Sequence, residues 1–221
     1  CECLLRWNHP KRGLIAPDQF IPAAELSGDI VPIGYWVIEQ SCQKIAQWQQ
    51  RGYDISQMSV NVSALQLQDE NFILMVKNTL QDSGITPHLL QLEITESAVM
   101  QDINQAVKTL EQLKFLGVRI AIDDYGTGYS SLSYLKQLPI DVLKIDKSFV
   151  QNIDHAGHEH AIVKSTISLA SELGIEVVAE GIETEQQKSI LITMQCAMGQ
   201  GYLFSKPLPE RDYLQLVPPR Q

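Results

Sequence analysis

Seven short apolar runs in this chain end on polar residues that suit metal or phosphate chemistry. These residues are Glu2, Asn61, Glu93, Asp123, Asp124, Lys144, Glu180 and Gln200. Neighbouring parallel strands present the same end at one edge of a sheet, so their terminal side chains meet there. If the apolar runs are such strands, the pattern predicts one polar site assembled from segments along most of the chain.

The charge at this site favours divalent cations as cofactors. Five of these residues are carboxylates, and Lys144 is the one cation among them. Such a cluster cannot stay ionised without further positive charge, which two divalent ions would supply. Oxygen ligands suit Mg²⁺ or Mn²⁺, whereas zinc sites favour His and Cys, which do not occur at these strand ends. The chemistry indicated is two-metal hydrolysis of a phosphate ester.

The adjacent Asp123 and Asp124 impose a condition on the backbone. Consecutive side chains of a strand point to opposite faces, so both carboxylates reach one site only if the strand ends and the chain turns there. Gly126 and Gly128 follow, and we expect them to supply that turn. A single Asp pair commonly serves only as a turn or a helix cap. The coincidence of polar residues at successive strand ends is what favours a built site.

Alternating strand and helix signals predict an α/β fold of the TIM-like (β/α)8 barrel class. After a first run at Cys1, strands are predicted at 58–62, 89–94, 118–122, 142–145, 175–179 and 201–204. Helices are predicted at 33–50, 69–82, 101–115, 130–138, 159–173 and 184–194. Such barrels have eight strands, and this count yields seven, so we expect one strand upstream of Cys1. Residues 1–221 are interpreted as a single domain and a fragment of a longer protein.

Composition limits the partners and the location of the chain. Its 221 residues carry a net charge of −9 and no block of Lys and Arg, which argues against binding to DNA, RNA or a membrane surface. No apolar run is long enough for a membrane span and no signal peptide is evident. We therefore expect a cytoplasmic location, either free or as part of a membrane-anchored protein. The four cysteines fit no disulfide or zinc pattern and are expected to be reduced, structural thiols.

Two other groups of residues admit a functional interpretation but favour a structural one. Three histidines before a predicted helix could bind a metal, yet a solvated loop leading into the helix explains them better. Aromatic residues at helical spacing are expected to pack in the core or against other helices rather than to stack on bases. The histidines are His155, His158 and His160, and the aromatic residues are Tyr35, Trp36 and Trp48.

Ordered stretches along nearly the whole chain resemble the EAL family of cyclic-di-GMP phosphodiesterases. They are ECLLRWNHP, FIPAAELSG, SVNVSALQL, LEITES, IAIDDYGTGYSSLSYLKQLPIDVLKID, VVAEGIET and QGYLFSKPLP. The resemblance implies a (β/α)8-type barrel with one antiparallel strand and dependence on Mg²⁺ or Mn²⁺. It also implies hydrolysis of cyclic di-GMP to linear 5'-pGpG in bacterial second-messenger signalling, a homodimer, and an upstream sensory or GGDEF-type domain.

The same resemblance implies the metal ligands and the catalytic residues. The ligands of the first ion would be Glu2, Asn61, Glu93 and Asp123. Asp123 would bridge to a second ion that is also held near Asp124. Lys144 would position the attacking water and offset negative charge. Glu180 would serve as a second-site ligand or as general base, two roles that the sequence leaves open.

Substrate contacts and loop support follow from the same family pattern. Leu4, Arg6 and Gln200 would line the substrate site, with the planar guanidinium of Arg6 binding phosphate oxygens. Glu96 would complete the catalytic set by bracing the loop after the Asp pair, because it lies too far beyond its strand to share the metal. The expected donors to Glu96 are backbone N–H groups of the loop and the hydroxyls of Thr127 and Ser130.

The chain departs from the family pattern at few positions. Cys3 stands in place of the signature Ala, Ala197 in place of a frequent Asp, and Tyr125 in place of Phe. None of these changes removes a catalytic group, so an active phosphodiesterase is favoured over the alternative, a non-catalytic cyclic-di-GMP receptor or signalling module. The strand expected upstream matters more, because family members place a substrate-contacting Gln there.

Overall fold

The structure is a computed structural model that describes residues 1–127, 132–153 and 157–217. Its strands are β1 (Glu2–Cys3), β2 (Trp7–His9), β3 (Gly13–Ile15), β4 (Met58–Val62), β5 (Leu90–Thr95), β6 (Arg119–Tyr125), β7 (Val142–Ile145), β8 (Glu176–Ala179) and β9 (Met198–Gly199). Its helices are α1 (Pro17–Ser27), α2 (Ile30–Gln50), α3 (Ala64–Gln68), α4 (Phe72–Ser83), α5 (Glu96–Gln101), α6 (Ile103–Phe115), α7 (Leu132–Leu135), α8 (Lys147–Gln151), α9 (His158–Glu172), α10 (Glu185–Thr193) and α11 (Glu210–Tyr213). A short 3-10 helix, Pro87–Leu89, precedes β5.

Seven strands form one curled sheet in the order β1-β4-β5-β6-β7-β8-β9, and every pair in it is parallel. Antiparallel pairing occurs between β2 and β3, which form a separate sheet. The edges β1 and β9 come close enough for Gln200 to donate a hydrogen bond to Glu2. The predicted TIM-like α/β class is therefore confirmed, with seven sheet strands within the described residues.

Helices cover one face of the sheet through apolar stripes at helical spacing. In α4, Phe72, Val76 and Leu80 lie four residues apart and are buried, and Val163 and Ile167 do the same in α9. Burial of each such side chain contributes about 1.5–3 kcal/mol. This packing fixes the strands, and it leaves the other face of the sheet to the polar residues.

Most predicted elements are present, with small shifts at their ends. β4 and β7 have the expected bounds. The helix expected at 101–115 is α6, which begins two residues later because Asp102 caps it by accepting a hydrogen bond from Gln105 N. The hairpin β2–β3 and the helices α1, α3, α5, α8 and α11 have no counterpart in the predictions.

The predicted strand at 201–204 is wrong. The last strand is β9, after which the chain turns: Phe204 N donates to Gly201 O, and Leu203 N donates to Ile182 O. Gly201 packs so closely on the backbone of Ile182 that a Cβ would lie 2.1 Å from its carbonyl oxygen. Side chains that alternate in exposure imitate a strand here, but the backbone hydrogen bonds belong to a turn.

The aromatic residues and cysteines that were expected to have structural roles lie mostly in positions that agree with this expectation. Trp48 is buried and its Nε1 donates to Glu210 Oε1, and the Tyr35 ring stacks on that of Phe72. Trp36 is 53% exposed, so of the two expected positions, the core and a helix-packing surface, the core is excluded for it. The four cysteines are free thiols. In the part of the chain that the structure describes, no helix is long and apolar enough to cross a membrane.

Candidate active site

Two amide side chains hold the first carboxylate of the site. Glu2 lies in β1, Asn61 in β4, and Gln200 directly after β9. Asn61 Nδ2 donates to one carboxylate oxygen of Glu2 and Gln200 Nε2 donates to the other, each over 2.8 Å. Hydrogen bonds to a charged group are strong enough to fix its orientation. Three segments that are distant in the chain thus meet at one point.

Lys144 occupies the centre of the site. Its side chain is 2% exposed, and its Nζ lies 2.6 Å from Glu93 Oε2, 2.8 Å from Glu180 Oε1, 3.3 Å from Asp123 Oδ2 and 4.0 Å from Glu2 Oε2. Burial lowers the pKa of Lys144, but the carboxylates outweigh that effect and raise the pKa above its usual value. Lys144 is therefore a buried, permanent cation that gathers four carboxylates.

A β-bulge in β6 brings both aspartates to the site. The register against β7 shifts by one residue there, and Asp124 has a left-handed backbone with φ of 54°. Asp124 N donates to Asp123 Oδ1 over 2.9 Å. The strand does not end at the pair as predicted, because it continues to Tyr125 and Asp124 itself has the left-handed backbone, whereas the turn predicted at Gly126 is present. Gly126 follows with φ of 98°, and Gly128 lies outside the described residues.

Asp123, Asp124 and Glu180 form a group that fits a divalent cation. One carboxylate oxygen of each lies within 4.8 Å of the others. Burial and the charge of Asp123 raise the pKa of Asp124, and the same two effects raise the pKa of Glu180 to about 7 despite Lys144. A bound cation would relieve this repulsion, and oxygen donors suit Mg²⁺ or Mn²⁺. The described residues contain no second group of three clustered metal-type ligands.

The residues expected at a first ion are also brought together. Glu2, Glu93 and Asp123 surround Lys144, and Asn61 contacts Glu2. Burial raises the pKa of Glu93, although Lys144 opposes this effect. The donor set consists of oxygen ligands of the kind that divalent cations prefer, but its carboxylates are not spaced as closely as those of Asp123, Asp124 and Glu180, and the ammonium group of Lys144 lies among them.

Glu96 contacts the loop that follows the aspartates. It is the first residue of α5 and is buried, and its Oε2 accepts a hydrogen bond from Gly126 N over 2.9 Å. The expected contact between this carboxylate and the loop backbone is thus present. The Thr127 hydroxyl donates to Asp124 O over 2.9 Å, and Ser130 lies outside the described residues.

Two residues expected to contact substrate lie outside the carboxylate cluster. Arg6 is exposed, and its Nη1 donates to Leu5 O over 2.8 Å. Within the described residues no ion pair joins Arg6 to a carboxylate, so its guanidinium is available to an incoming anion. Leu4 directly follows β1 and is 42% exposed, which places it beside the mouth of the site.

The histidines do not form a metal site among the described residues. His158 is exposed at the start of α9, His160 follows in the same helix, and His155 lies outside the described residues.

Two residues of the polar site have no counterpart in the predictions. Asp146 lies two residues after Lys144 and adds to the raised pKa of Asp124, and Gln91 lies two residues before Glu93. Each of them could have been found from the sequence as a polar residue two positions away from a predicted site residue, because side chains two apart on a strand point to the same face.

Comparison with known proteins places this geometry in a family. The sequence profile of the EAL domain matches residues 1–207. The chain is 44% identical over 216 residues to the bifunctional diguanylate cyclase/cyclic di-GMP phosphodiesterase MucR of Pseudomonas aeruginosa. It is 42% identical over 208 residues to the cyclic di-GMP phosphodiesterase NbdA of the same organism. These alignments cover 98% and 94% of this chain but only 32% and 27% of the two curated relatives.

Solved structures show the same fold. PaMucR phosphodiesterase in complex with c-di-GMP matches with a TM-score of 0.91 and 43% identity, covering 96% of this chain and 86% of that one. The FimX EAL domain from Pseudomonas aeruginosa bound to c-di-GMP matches with a TM-score of 0.84 and 26% identity, covering 93% and 82%. Sequence profile, relatives and fold agree with the arrangement of the strand ends, and the chain belongs to the EAL domain family.

Proposed function

We propose that this domain is a phosphodiesterase that hydrolyses cyclic di-GMP to linear 5'-pGpG. The observation that carries the proposal is the set of carboxylates gathered around Lys144, in which Asp123, Asp124 and Glu180 are close enough to share a cation. Relatives that match nearly the whole chain are named cyclic di-GMP phosphodiesterases, and one similar structure is a c-di-GMP complex. These names support the substrate, and the acidic site supports the chemistry.

Two Mg²⁺ or Mn²⁺ ions are the proposed cofactors. Asp123, Asp124 and Glu180 would hold one of them. The other would be held by Glu2, Asn61, Glu93 and Asp123. Such ions, when bound, lower the pKa of water and stabilise negative charge on a phosphate. The choice of metal rests on the oxygen donors, which suit these hard cations.

The protein's own side chains would divide the remaining tasks. Lys144 places a positive charge among the carboxylates, where the attacking water and the phosphate would meet. Glu180 either contributes an oxygen ligand or accepts the proton of the water, for which a pKa of about 7 is suited. Arg6 would bind phosphate oxygens. As the water oxygen bonds to phosphorus, the bond from phosphorus to the 3' oxygen breaks, which leaves a 5'-phosphate and a 3'-hydroxyl.

Incubation of the full-length protein with cyclic di-GMP, followed by separation of the nucleotides, tests this function. We expect linear pGpG with Mg²⁺ or Mn²⁺ and none with EDTA. The alternative, a non-catalytic receptor, predicts that a folded protein binds cyclic di-GMP and leaves it intact. Binding and cleavage are therefore measured on the same preparation.

Calcium is expected to bind at the site yet to support little turnover. Ca²⁺ is larger than Mg²⁺ and accepts looser geometry, so it would spread the oxygen ligands that an in-line attack needs close together. Calorimetry and a turnover assay in each metal check this prediction. Equal rates in calcium and magnesium would contradict the two-metal mechanism.

Stabilisation by Mg²⁺ is expected to grow with pH. The pKa of Glu180 is raised from 4.5 to about 7, so the ion-free folded protein holds a proton between these values that the unfolded chain has released. The stability from this group is present below its unfolded pKa and is lost as pH rises through about 7. Metal competes with that proton. Melting curves with and without Mg²⁺ should show a larger metal-induced rise in Tm above this window than below it, and equal rises would contradict the assignment.

Glu96→Ala is expected to retain the fold but lose most activity. The carboxylate accepts a hydrogen bond from Gly126 N, directly after the aspartates, so its loss would free the loop and weaken the metal held by Asp124. Hydrogen exchange over residues 124–131 and turnover are the two measurements. Unchanged protection together with unchanged turnover would remove the bracing role.

The domain is further proposed to be one catalytic unit, residues 1–221, of a longer signalling protein. The matched curated relatives are about three to four times as long as their aligned region, and the name of MucR includes a diguanylate cyclase. This supports an upstream sensory or GGDEF-type domain as partner. A homodimer and a cytoplasmic location are proposed as well, the latter because a bacterial second messenger acts inside the cell. Size measurement of the full-length protein tests the dimer.

A further inference from the structure

We propose that Gln91 is a positioning residue that orients Glu93 for metal binding, an inference that rests on the proposed function. Gln91 lies in β5 two residues before Glu93, so the two side chains point to the same face of the strand. Gln91 Nε2 donates to Glu93 Oε1 over 3.1 Å and to Ser59 Oγ over 2.9 Å. Through this amide, Glu93 is tied to the neighbouring strand β4.

The two oxygens of Glu93 have different protein donors. Lys144 Nζ lies 2.6 Å from Oε2, and Gln91 holds Oε1. The terminal torsion of a glutamate side chain is broad, so the plane of the carboxylate has to be set by its neighbours. A carboxylate only accepts hydrogen bonds, which requires the NH₂ end of the Gln91 amide to face it. One donor on each oxygen therefore restricts the rotation of Glu93.

Packing alone does not account for a glutamine at this position. Gln91 is 4% exposed, and within the described residues its Oε1 has no hydrogen-bond partner, which is unfavourable for a buried acceptor. The residues paired with Gln91 on the neighbouring strands are Ser59 and Arg119, and at the level of Glu93 on the same face Ala121 and Val142 are apolar and buried. An apolar residue would fill the position of Gln91 without an unpaired oxygen. Its hydrogen bonds to Ser59 and Glu93 are the contacts that an apolar residue could not make, and of these two partners only Glu93 is a proposed metal ligand.

Metal binding without substrate tests this role on the full-length protein carrying Gln91→Met. Methionine has a similar length but no donor. Calorimetry with Mg²⁺ and with Mn²⁺ is expected to show a dissociation constant about 10- to 100-fold higher, the range typical when a partner of a metal ligand is removed. Hydrolysis should recover at high metal concentration, because no reacting group is lost. As control, Thr109→Val deletes a hydrogen bond from another buried side chain, on α6, and should leave metal binding unchanged.

Unchanged metal affinity in folded Gln91→Met would overturn the proposal. If that variant does not fold, Ser59→Ala replaces it, because the Gln91 amide then loses its partner on β4. Its metal affinity is expected to fall in the same direction, and wild-type affinity in Ser59→Ala would equally overturn the proposal. The wild type is assayed for hydrolysis in parallel. Absence of pGpG there would reject the proposed function, whereas calorimetry without substrate still decides the role of Gln91.

Discussion

Lys144→Met is expected to reduce turnover by about 10²- to 10³-fold, the usual effect of removing one preorganised electrostatic group. In the folded protein Lys144 lies within 3.3 Å of oxygens from Glu93, Glu180 and Asp123, at the place where water and phosphate would meet. It is not a metal ligand, so metal and substrate should still bind. Single-turnover rates at saturating Mg²⁺, together with calorimetry, separate these effects.

The same variant is expected to be less stable in the absence of metal. Removing one partner of a buried ion pair typically costs about 3–5 kcal/mol, because the remaining charges stay buried without compensation. Saturating Mg²⁺ should restore much of this loss. Lys188→Met is the matched control: Lys188 is on the surface of α10, pairs with Glu185, and should change stability by no more than about 0.5 kcal/mol. Normal turnover in Lys144→Met would show that its assigned role is wrong.

Glu2→Ala is expected to lower metal affinity and activity together, by at least about 100-fold. Loss of a residue that only supports a metal ligand costs up to about 100-fold, and Glu2 is a proposed ligand itself. Both oxygens of Glu2 are held by amides, so the carboxylate is fixed before a metal arrives. Calorimetry and turnover across a range of Mg²⁺ concentrations check this result. The control is Glu185→Ala, whose carboxylate is exposed on α10. Wild-type metal affinity in Glu2→Ala would exclude Glu2 as a ligand.

The convergence of the strand ends could be predicted because it depends on a simple regularity. Parallel strands that alternate with helices have their carboxyl ends at one edge, so the polar residues that end the apolar runs must be neighbours. Glu2 and Gln200 illustrate this: they are separated by nearly the whole chain, yet their side chains lie 2.8 Å apart. Local pattern and fold class together were sufficient for this part of the site.

The bulge at Asp124 could not be predicted from local pattern. Asp124 has a positive φ because β6 carries one more residue than its partner β7 at this point, and that register is a property of two strands. Gly126 has the positive φ that its residue type predicts, but the backbone already bends at Asp124, for which the sequence carries no such signal. The strand expected at 201–204 failed for a related reason, since its backbone bonds to a loop more than 15 residues earlier.

The burial of Lys144 could not be predicted from its residue type. A lysine after an apolar run is most often a surface charge, and here it is buried among carboxylates from β1, β5 and β6 and the residue after β8. The carboxylates around Lys144 come from several strands and meet only when the sheet curls. Neither the burial of Lys144 nor the raised pKa of Glu180 can therefore be predicted from residues that are adjacent in sequence. Gln91 could not be predicted for the same reason. Its hydrogen-bond partners are Glu93, two residues further along β5, and Ser59 on the neighbouring strand β4.

Hydrolysis in water enriched in oxygen-18 is the most direct test of the proposed phosphodiesterase activity. The full-length protein, in excess over cyclic di-GMP, is mixed with substrate in Mg²⁺ or in EDTA, and the products are examined by mass spectrometry. We predict linear pGpG that carries one heavy oxygen on its 5'-phosphate, formed with Mg²⁺ and absent with EDTA. Intact cyclic di-GMP bound to a folded, metal-loaded protein would contradict the account, and so would product that forms equally well in EDTA.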